Sequence, residues 1–186
     1  MAKQYVRFDE IEDVLSSVDL LALCVPFLDR EPSYWKWAII SAHASLQGAM
    51  VCALRDTSGV SILDRQSGRE MIRWHNGEIE KHPEEKLADF NLLLKRCCKG
   101  RHMQGQALKL SSSQLRDIER LHKEFRNNFA HFIPQGWSIE KAGLPRIVCA
   151  SVDATEILMA HRNVELSGNR KRRLASGLAT ARTRLK

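Results

Sequence analysis

Apolar residues recur at spacings of three and four along most of the chain, which is the pattern of amphipathic helices. The first such segment runs from Asp9 to about Val25. Asp9 is followed three positions later by Glu12, an arrangement that predicts a capping pair at the helix N-terminus. Pro26 then ends the helical pattern.

The segment from Tyr34 to Leu54 is apolar almost all round, which predicts a buried central helix with Ser33 as its cap. Its polar residues His43 and Gln47 lie four positions apart and therefore share a face. We expect both to be satisfied polar groups of the core; a role in a pocket or an interface is the alternative.

Residues 56–84 are polar and rich in glycine, which predicts a long loop with one short helix near residues 69–74. Residues 84–98 return to helical spacing.

The next predicted helix has a well-marked start. Ser111 and Gln114 form a capping-box pair, and Leu110 and Leu115 occupy the two positions of a hydrophobic staple. The helix is expected to run to about Phe132, just before a proline and a glycine.

Residues 137–150 are rich in β-branched side chains, which predicts a short extended strap or hairpin. Ser151 or Asp153 is expected to open a final helix that extends toward the C-terminus. About five helices without an alternating strand pattern predict an all-α fold, an up-and-down helical bundle.

The net charge of +7 is concentrated at the C-terminus. Residues 167–186 hold seven cations and no acid, so the rest of the chain has as many acids as cations. We therefore divide the chain into one helical domain, residues 1–166, and a basic tail, residues 167–186. The tail is either a solvated terminus or a surface for phosphate polymers; in the second case its binding residues are Arg170, Lys171, Arg172 and Arg173.

The composition favours a cytoplasmic protein without membrane spans, metal or cofactor. The N-terminal residues do not show the pattern of a signal peptide, and no apolar run has the length expected of a membrane-spanning helix. The five cysteines are odd in number and lack a C-x-x-C spacing, which favours reduced thiols over a disulfide framework or a zinc site.

The stretch from Arg126 to His131 closes the capped amphipathic helix. On a wheel at about 100° per residue the two side chains point about 140° apart, so one regular helix does not bring them face to face. An apolar stripe occupies another side of this helix; its members are Ile118, Leu121, Phe125, Phe129 and Phe132.

The spacing alone is weak evidence of a site, because three other arginine–histidine pairs have four to six intervening residues. Those pairs are Arg69/His75, Arg96/His102 and Arg116/His122. What separates Arg126/His131 is the polar Asn127 directly after the arginine, and its place at the end of a long capped helix.

In that context the segment LHKEFRNNFAHF resembles the R-x4–6-H motif of the HEPN (higher eukaryotes and prokaryotes nucleotide-binding) superfamily. The wider stretch HFIPQGWSIE with GLPRI is similar to an uncharacterised bacterial HEPN-like family. The resemblance implies a helical bundle and metal-independent RNA cleavage, with Arg126, Asn127 and His131 as the catalytic residues.

The resemblance also implies partners. Two copies of the motif would meet across a homodimer and form one composite site on RNA. A toxin or defence role would follow, with a nucleotidyltransferase-like antitoxin as partner. The alternatives are a non-catalytic HEPN-like module for dimerisation, nucleotide binding or partner binding, and an unrelated helical protein in which Arg126 and His131 are solvated.

Overall fold

A computed structural model describes residues 4–131 and 136–185, and within these ranges it contains helices and no strand. The helices are α1 (Glu10–Cys24), α2 (Tyr34–Leu54), α3 (Arg65–His75), α4 (Phe90–Cys97), α5 (Ser112–Arg120), α6 (Asn127–Ala130), α7 (Leu144–Met159) and α8 (Gly168–Leu185). A π-helical segment, Leu121–Arg126, joins α5 to α6 in one continuous run. Short 3-10 turns lie at Val25–Phe27, Val60–Ile62 and Gly100–His102.

The all-α bundle is thus confirmed, with seven helices in the described residues when α5, the π segment and α6 are counted together. Helix α2 forms its centre and packs against α1, α4, α7 and the π segment. Ser33 stands at the N-cap position of α2, but its side chain makes no capping bond.

Helix α2 is long and apolar enough to span a membrane by length and composition, contrary to the expectation from the sequence. However, 67% of its most apolar window is buried inside the bundle, as in the core helix of a soluble protein. This single helix is therefore weak evidence for a membrane span.

Two predicted helix starts are confirmed. The Asp9 side chain accepts a hydrogen bond of 2.7 Å from the Glu12 backbone N–H. Ser111 and Gln114 form the reciprocal capping box, and Leu110 and Leu115 pack against the core.

The prediction of a strap or hairpin at 137–150 is wrong for residues 144–150, because α7 begins at Leu144. Pro145 suits the first turn of a helix, where a missing backbone N–H costs nothing. The β-branched Ile147 and Val148 are buried on the core face of α7, so tertiary packing overrides their strand preference. Ser151 and Asp153 lie inside the helix rather than at its start.

The predicted helix at 84–98 is shorter in the structure. It begins only at Phe90, where the Asp89 side chain accepts a hydrogen bond from the Leu92 N–H at 2.8 Å. The preceding residues run extended beside the Val60–Ile62 turn, and Leu63 and Leu87 form an isolated antiparallel bridge.

The prediction of a separate basic tail is also corrected, because residues 168–185 form α8, which packs on α1 and α7. Its buried residues are Leu174, Gly177, Leu178, Ala181 and Leu185. A Cβ on Gly177 would lie 2.5 Å from Val18 Cγ1, so α1 and α8 approach closely. Thus α8 completes the bundle that residues 10–159 begin.

Candidate functional site

The π segment positions the residues of the predicted motif. The Asn127 N–H donates to the His122 carbonyl, five positions back, instead of the usual four. The wider turn changes the angular positions of the residues that follow it, so a uniform wheel does not describe this helix. Single π turns within α-helices are frequent at functional sites.

Arg126 and Asn127 lie together. Nη1 of Arg126 donates a hydrogen bond to Oδ1 of Asn127 at 3.1 Å. The Arg126 side chain is half-buried and forms no ion pair with a carboxylate of the described residues. Its charge therefore remains available to an anionic ligand.

His131 follows the last residue of α6 and is exposed. Its backbone N–H donates to the Asn127 carbonyl at 2.9 Å, and its side chain makes no hydrogen bond to the described residues. The predicted helix end at Phe132, with the last member of the apolar stripe, lies outside the described residues. Of that stripe, Ile118, Leu121 and Phe125 are buried, and Phe129 packs partly buried against the core.

A groove of about 660 Å³ separates Arg126 from the N-terminal part of α1. It is lined by Phe8, Asp9, Glu10, Asp13, Ile40, His43, Ala44, Gln47, Gly48, Val51, Leu87 and Arg126. His131 is not part of this lining. The structure therefore brings Arg126 and Asn127 together and leaves His131 of the same chain outside the groove.

Sequence reasoning missed a pair of imidazoles behind Arg126. Nε2 of His43 lies 2.9 Å from Nδ1 of His122, within hydrogen-bond distance. Both rings stack on Phe90, with centroids 4.4 Å from His43 and 4.5 Å from His122. We call His43 and His122 the histidine pair, and Phe90 its supporting ring.

Both histidines of the pair are held neutral. Burial lowers the pKa of His43 to about 3, and the charges of His122 and Arg126 act in the same direction. Burial and the Arg126 charge also lower the pKa of His122. At neutral pH one of the two facing nitrogens therefore carries a hydrogen and donates a hydrogen bond to the other nitrogen, which accepts it.

The sequence predicted only part of this arrangement. The shared face of His43 and Gln47 was predicted, and His43 is indeed a buried, hydrogen-bonded polar residue. Gln47 is half-buried and lines the groove. His122 lies 79 positions from His43, so no local spacing connects them.

Two of the three carboxylates that line the groove form ion pairs with arginines that do not line it. Asp9 pairs with Arg170 at 2.8 Å, and Glu10 pairs with Arg55. Asp13 forms no ion pair with the described residues. Arg126 and Asp13 are therefore the two charged groups of the lining that lack a counter-charge.

The four basic residues predicted to contact phosphates fall into two groups. Arg170 binds Asp9, and Arg173 binds Glu12 at 2.7 Å and Asp19 at 2.6 Å. Lys171 and Arg172 are exposed and form no ion pair with the described residues. Two of the four cations are thus committed to holding α8 on α1.

Cys24, Cys52 and Cys97 are buried free thiols, and Cys98 is a half-buried one. In the part of the chain that the structure describes, no group of three or more metal-ligating side chains comes together. Comparisons with models of protein families, with curated proteins and with solved structures gave no match to this chain.

Proposed function

We propose that the protein is a metal-independent endoribonuclease of HEPN type that works as a homodimer. Arg126 and Asn127 of one copy bind the scissile phosphate, and His131 of the other copy completes the site. The proposal rests on the sequence resemblance together with the geometry of these three residues.

One observation carries the proposal. Asn127 holds Arg126, which lines the groove, whereas His131 ends the same helical run exposed and outside the groove. This placement supports a site that draws the two side chains from two copies. Isologous dimers bring the same surface of both copies together, which supplies both residues symmetrically.

The chemistry is transesterification. The ribose 2′-oxygen loses its proton and attacks phosphorus, the bond from phosphorus to the 5′-oxygen breaks, and that oxygen takes up a proton. A histidine can accept the first proton or donate the second. The fixed positive charge of Arg126 stabilises the additional negative charge on the phosphoryl oxygens. The products are a 2′,3′-cyclic phosphate and a free 5′-hydroxyl.

The direct test is to incubate single-stranded RNA with the protein in EDTA. We expect cleavage by the wild type and a loss of at least about 100-fold in both Arg126→Gln and His131→Ala, the usual scale for removing a charge-stabilising group and a general acid–base residue, respectively. The variant Arg69→Gln/His75→Ala is a matched control, because it removes a pair of similar spacing on α3. Equal cleavage by all variants would identify a contaminating nuclease and refute the proposal.

A second candidate is a non-catalytic HEPN-like module that binds a nucleotide or a partner. The groove favours it, since about 660 Å³ lies within the usual range for small-molecule sites and a single chain forms it. This candidate predicts nucleotide binding that Arg126→Gln weakens, with RNA left intact.

The toxin or defence role, the nucleotidyltransferase-like antitoxin and the cytoplasmic location remain proposals from the resemblance. A neighbouring gene whose product co-purifies with this protein and blocks RNA cleavage would support the antitoxin. Cleavage that is unchanged by that product would contradict it.

A further inference from the structure

The groove presents one free charge of each sign. Arg126 lacks an acidic partner and Asp13 lacks a basic partner among the described residues. Asp13 lies against α2 at Gly48, because a Cβ on that glycine would come within 3.1 Å of Asp13 Oδ2. His43, close enough to Arg126 for the arginine charge to lower its pKa, precedes Gly48 by five residues. At a rise of about 1.5 Å per residue, these two points of α2 are about 7.5 Å apart along the helix axis.

Polar groups of α2 lie between the two charges. Gln47 and His43 both line the groove. His43 is only 3% exposed, and Nε2 is its hydrogen-bonded nitrogen. Nδ1 has no hydrogen-bond partner among the described residues and is not fully enclosed, and His43 lines the groove. A buried imidazole with one nitrogen bound and the other open to a cavity is suited to a hydrogen bond with a ligand.

Apolar side chains form the outer edge of the groove. Phe8 is 63% exposed and Leu87 is 47% exposed, although both line the cavity. An exposed aromatic ring in a groove that also holds a cationic group can stack on a nucleobase.

We propose that this groove binds a guanosine nucleotide of single-stranded RNA. Arg126 takes the phosphate, His43 and Gln47 hydrogen-bond the sugar–phosphate, Asp13 binds the base edge, and Phe8 covers the base.

The choice of base follows from hydrogen-bond chemistry. An ionised carboxylate only accepts hydrogen bonds. Guanine presents two adjacent donors, N1–H and the N2 amino group, which match the two carboxylate oxygens of Asp13. Adenine and cytosine each place a ring-nitrogen acceptor beside the amino group, and uracil flanks its one N–H with carbonyls. Their edges therefore set an acceptor against the carboxylate.

The inference deepens the proposed function and rests on it for the identity of the polymer, because it names the base held at the arginine end of the site. The recognition of guanine depends on Asp13 and the groove alone. Binding and cleavage can thus be measured separately.

The test measures binding to the full-length His131→Ala protein, in which the proposed cleavage is absent and the groove is intact. The ligands are the four nucleoside 5′-monophosphates and two RNA pentamers, one with a central guanosine in a uridine background and one of uridine alone. We expect GMP and the guanosine pentamer to bind at least about tenfold more tightly than their counterparts, the scale of one or two hydrogen bonds to a charged group. Adding Asp13→Asn should abolish this preference.

Matched variants separate the two ends of the groove. Asp29→Asn removes an exposed acid outside the groove and should leave the preference unchanged. Arg126→Gln should remove the advantage of GMP over guanosine and keep the preference for guanine.

The outcomes distinguish this inference from the proposed function. Equal binding of all four monophosphates, or a guanine preference that survives Asp13→Asn, would overturn the inference even if the wild type cleaves RNA. If GMP binds and the guanosine pentamer does not, the groove is a site for a free nucleotide, and the part of the inference that names RNA is overturned. An Asp13-dependent preference in a protein that never cleaves RNA would support the site and refute only the ribonuclease.

Discussion

Nε2 of His43 and Nδ1 of His122 meet at 2.9 Å across 79 positions of sequence, with the ring of Phe90 stacked on both imidazoles. The contact joins the central helix α2 to the π segment that carries Arg126. Because Arg126 lies close to both rings, a proton on either histidine would be repelled by the arginine charge. The histidine pair therefore belongs both to the packed core and to the charge environment of Arg126 in the candidate site.

This contact predicts a pH dependence of stability. The pKa of His43 is lowered from 6.5 to about 3 in the folded protein, so between these values the unfolded chain binds more protons than the folded one. Stability is then fully present above pH 6.5 and is lost as the pH falls. We expect the free energy of unfolding to drop by about 3 kcal/mol between pH 6.5 and pH 4 from this residue, as measured by urea denaturation.

Two variants identify the source of that drop. His43→Gln keeps a group that can hydrogen-bond His122 and removes the titrating imidazole, so the pH dependence should flatten. His131→Ala removes an exposed imidazole and should leave the slope unchanged. A slope that is the same in wild type and His43→Gln would show that other groups control acid stability.

The close approach of α8 to α1 predicts a steric effect at Gly177. A Cβ there would lie 2.5 Å from Cγ1 of Val18, a buried β-branched side chain with little rotamer freedom. We expect Gly177→Ala to lower the free energy of unfolding by about 1–3 kcal/mol, despite the better helix propensity of alanine.

Gly168→Ala is the control for Gly177, because nothing lies within 4 Å of a Cβ at that end of α8. It should be neutral or slightly stabilising. Equal effects of the two substitutions in thermal or urea unfolding would contradict the packing of α8 on α1.

The sequence predicted the features that local physics determines. The caps at Asp9 and Ser111 follow from side chains that satisfy backbone N–H groups within the same turn. The burial of α2 follows from a surface that is apolar on nearly all sides. These properties require no knowledge of distant residues.

The features that were missed depend on tertiary contacts. The β-branched residues of α7 look like a strand until the core that buries them is known. The arginines of α8 look like a free basic tail until Glu12 and Asp19 appear opposite Arg173. His122 acquires a role only through His43 and Phe90, and none of the three is near another in sequence.

The basic residues near the start of α8 fall into two groups, those that form ion pairs and those that do not. Lys171 and Arg172 are exposed without acidic partners among the described residues, whereas Arg170 and Arg173 are paired. If RNA binds this helix, Lys171→Gln/Arg172→Gln should reduce the slope of log affinity against log salt concentration by about 1.4, because each phosphate that a cation neutralises on single-stranded RNA adds about 0.7 to that slope.

The matched variant Arg170→Gln/Arg173→Gln should instead lower the melting temperature, because it breaks the link between α8 and α1. Salt titrations of RNA binding and thermal melts of both double variants separate these effects. A salt slope that neither variant changes would exclude α8 from the RNA-binding surface.

The central claim, that Arg126 of one copy acts with His131 of another, is tested most directly by mixing two inactive variants. Arg126→Gln and His131→Ala are each purified, unfolded and refolded together in equal amounts, and RNA cleavage is measured in EDTA. A mixed dimer then contains one site with an intact arginine and an intact histidine from different chains, so we predict recovery to about a quarter of wild-type activity. A mixture as inactive as either variant alone, although mixed dimers have formed, would contradict the claim.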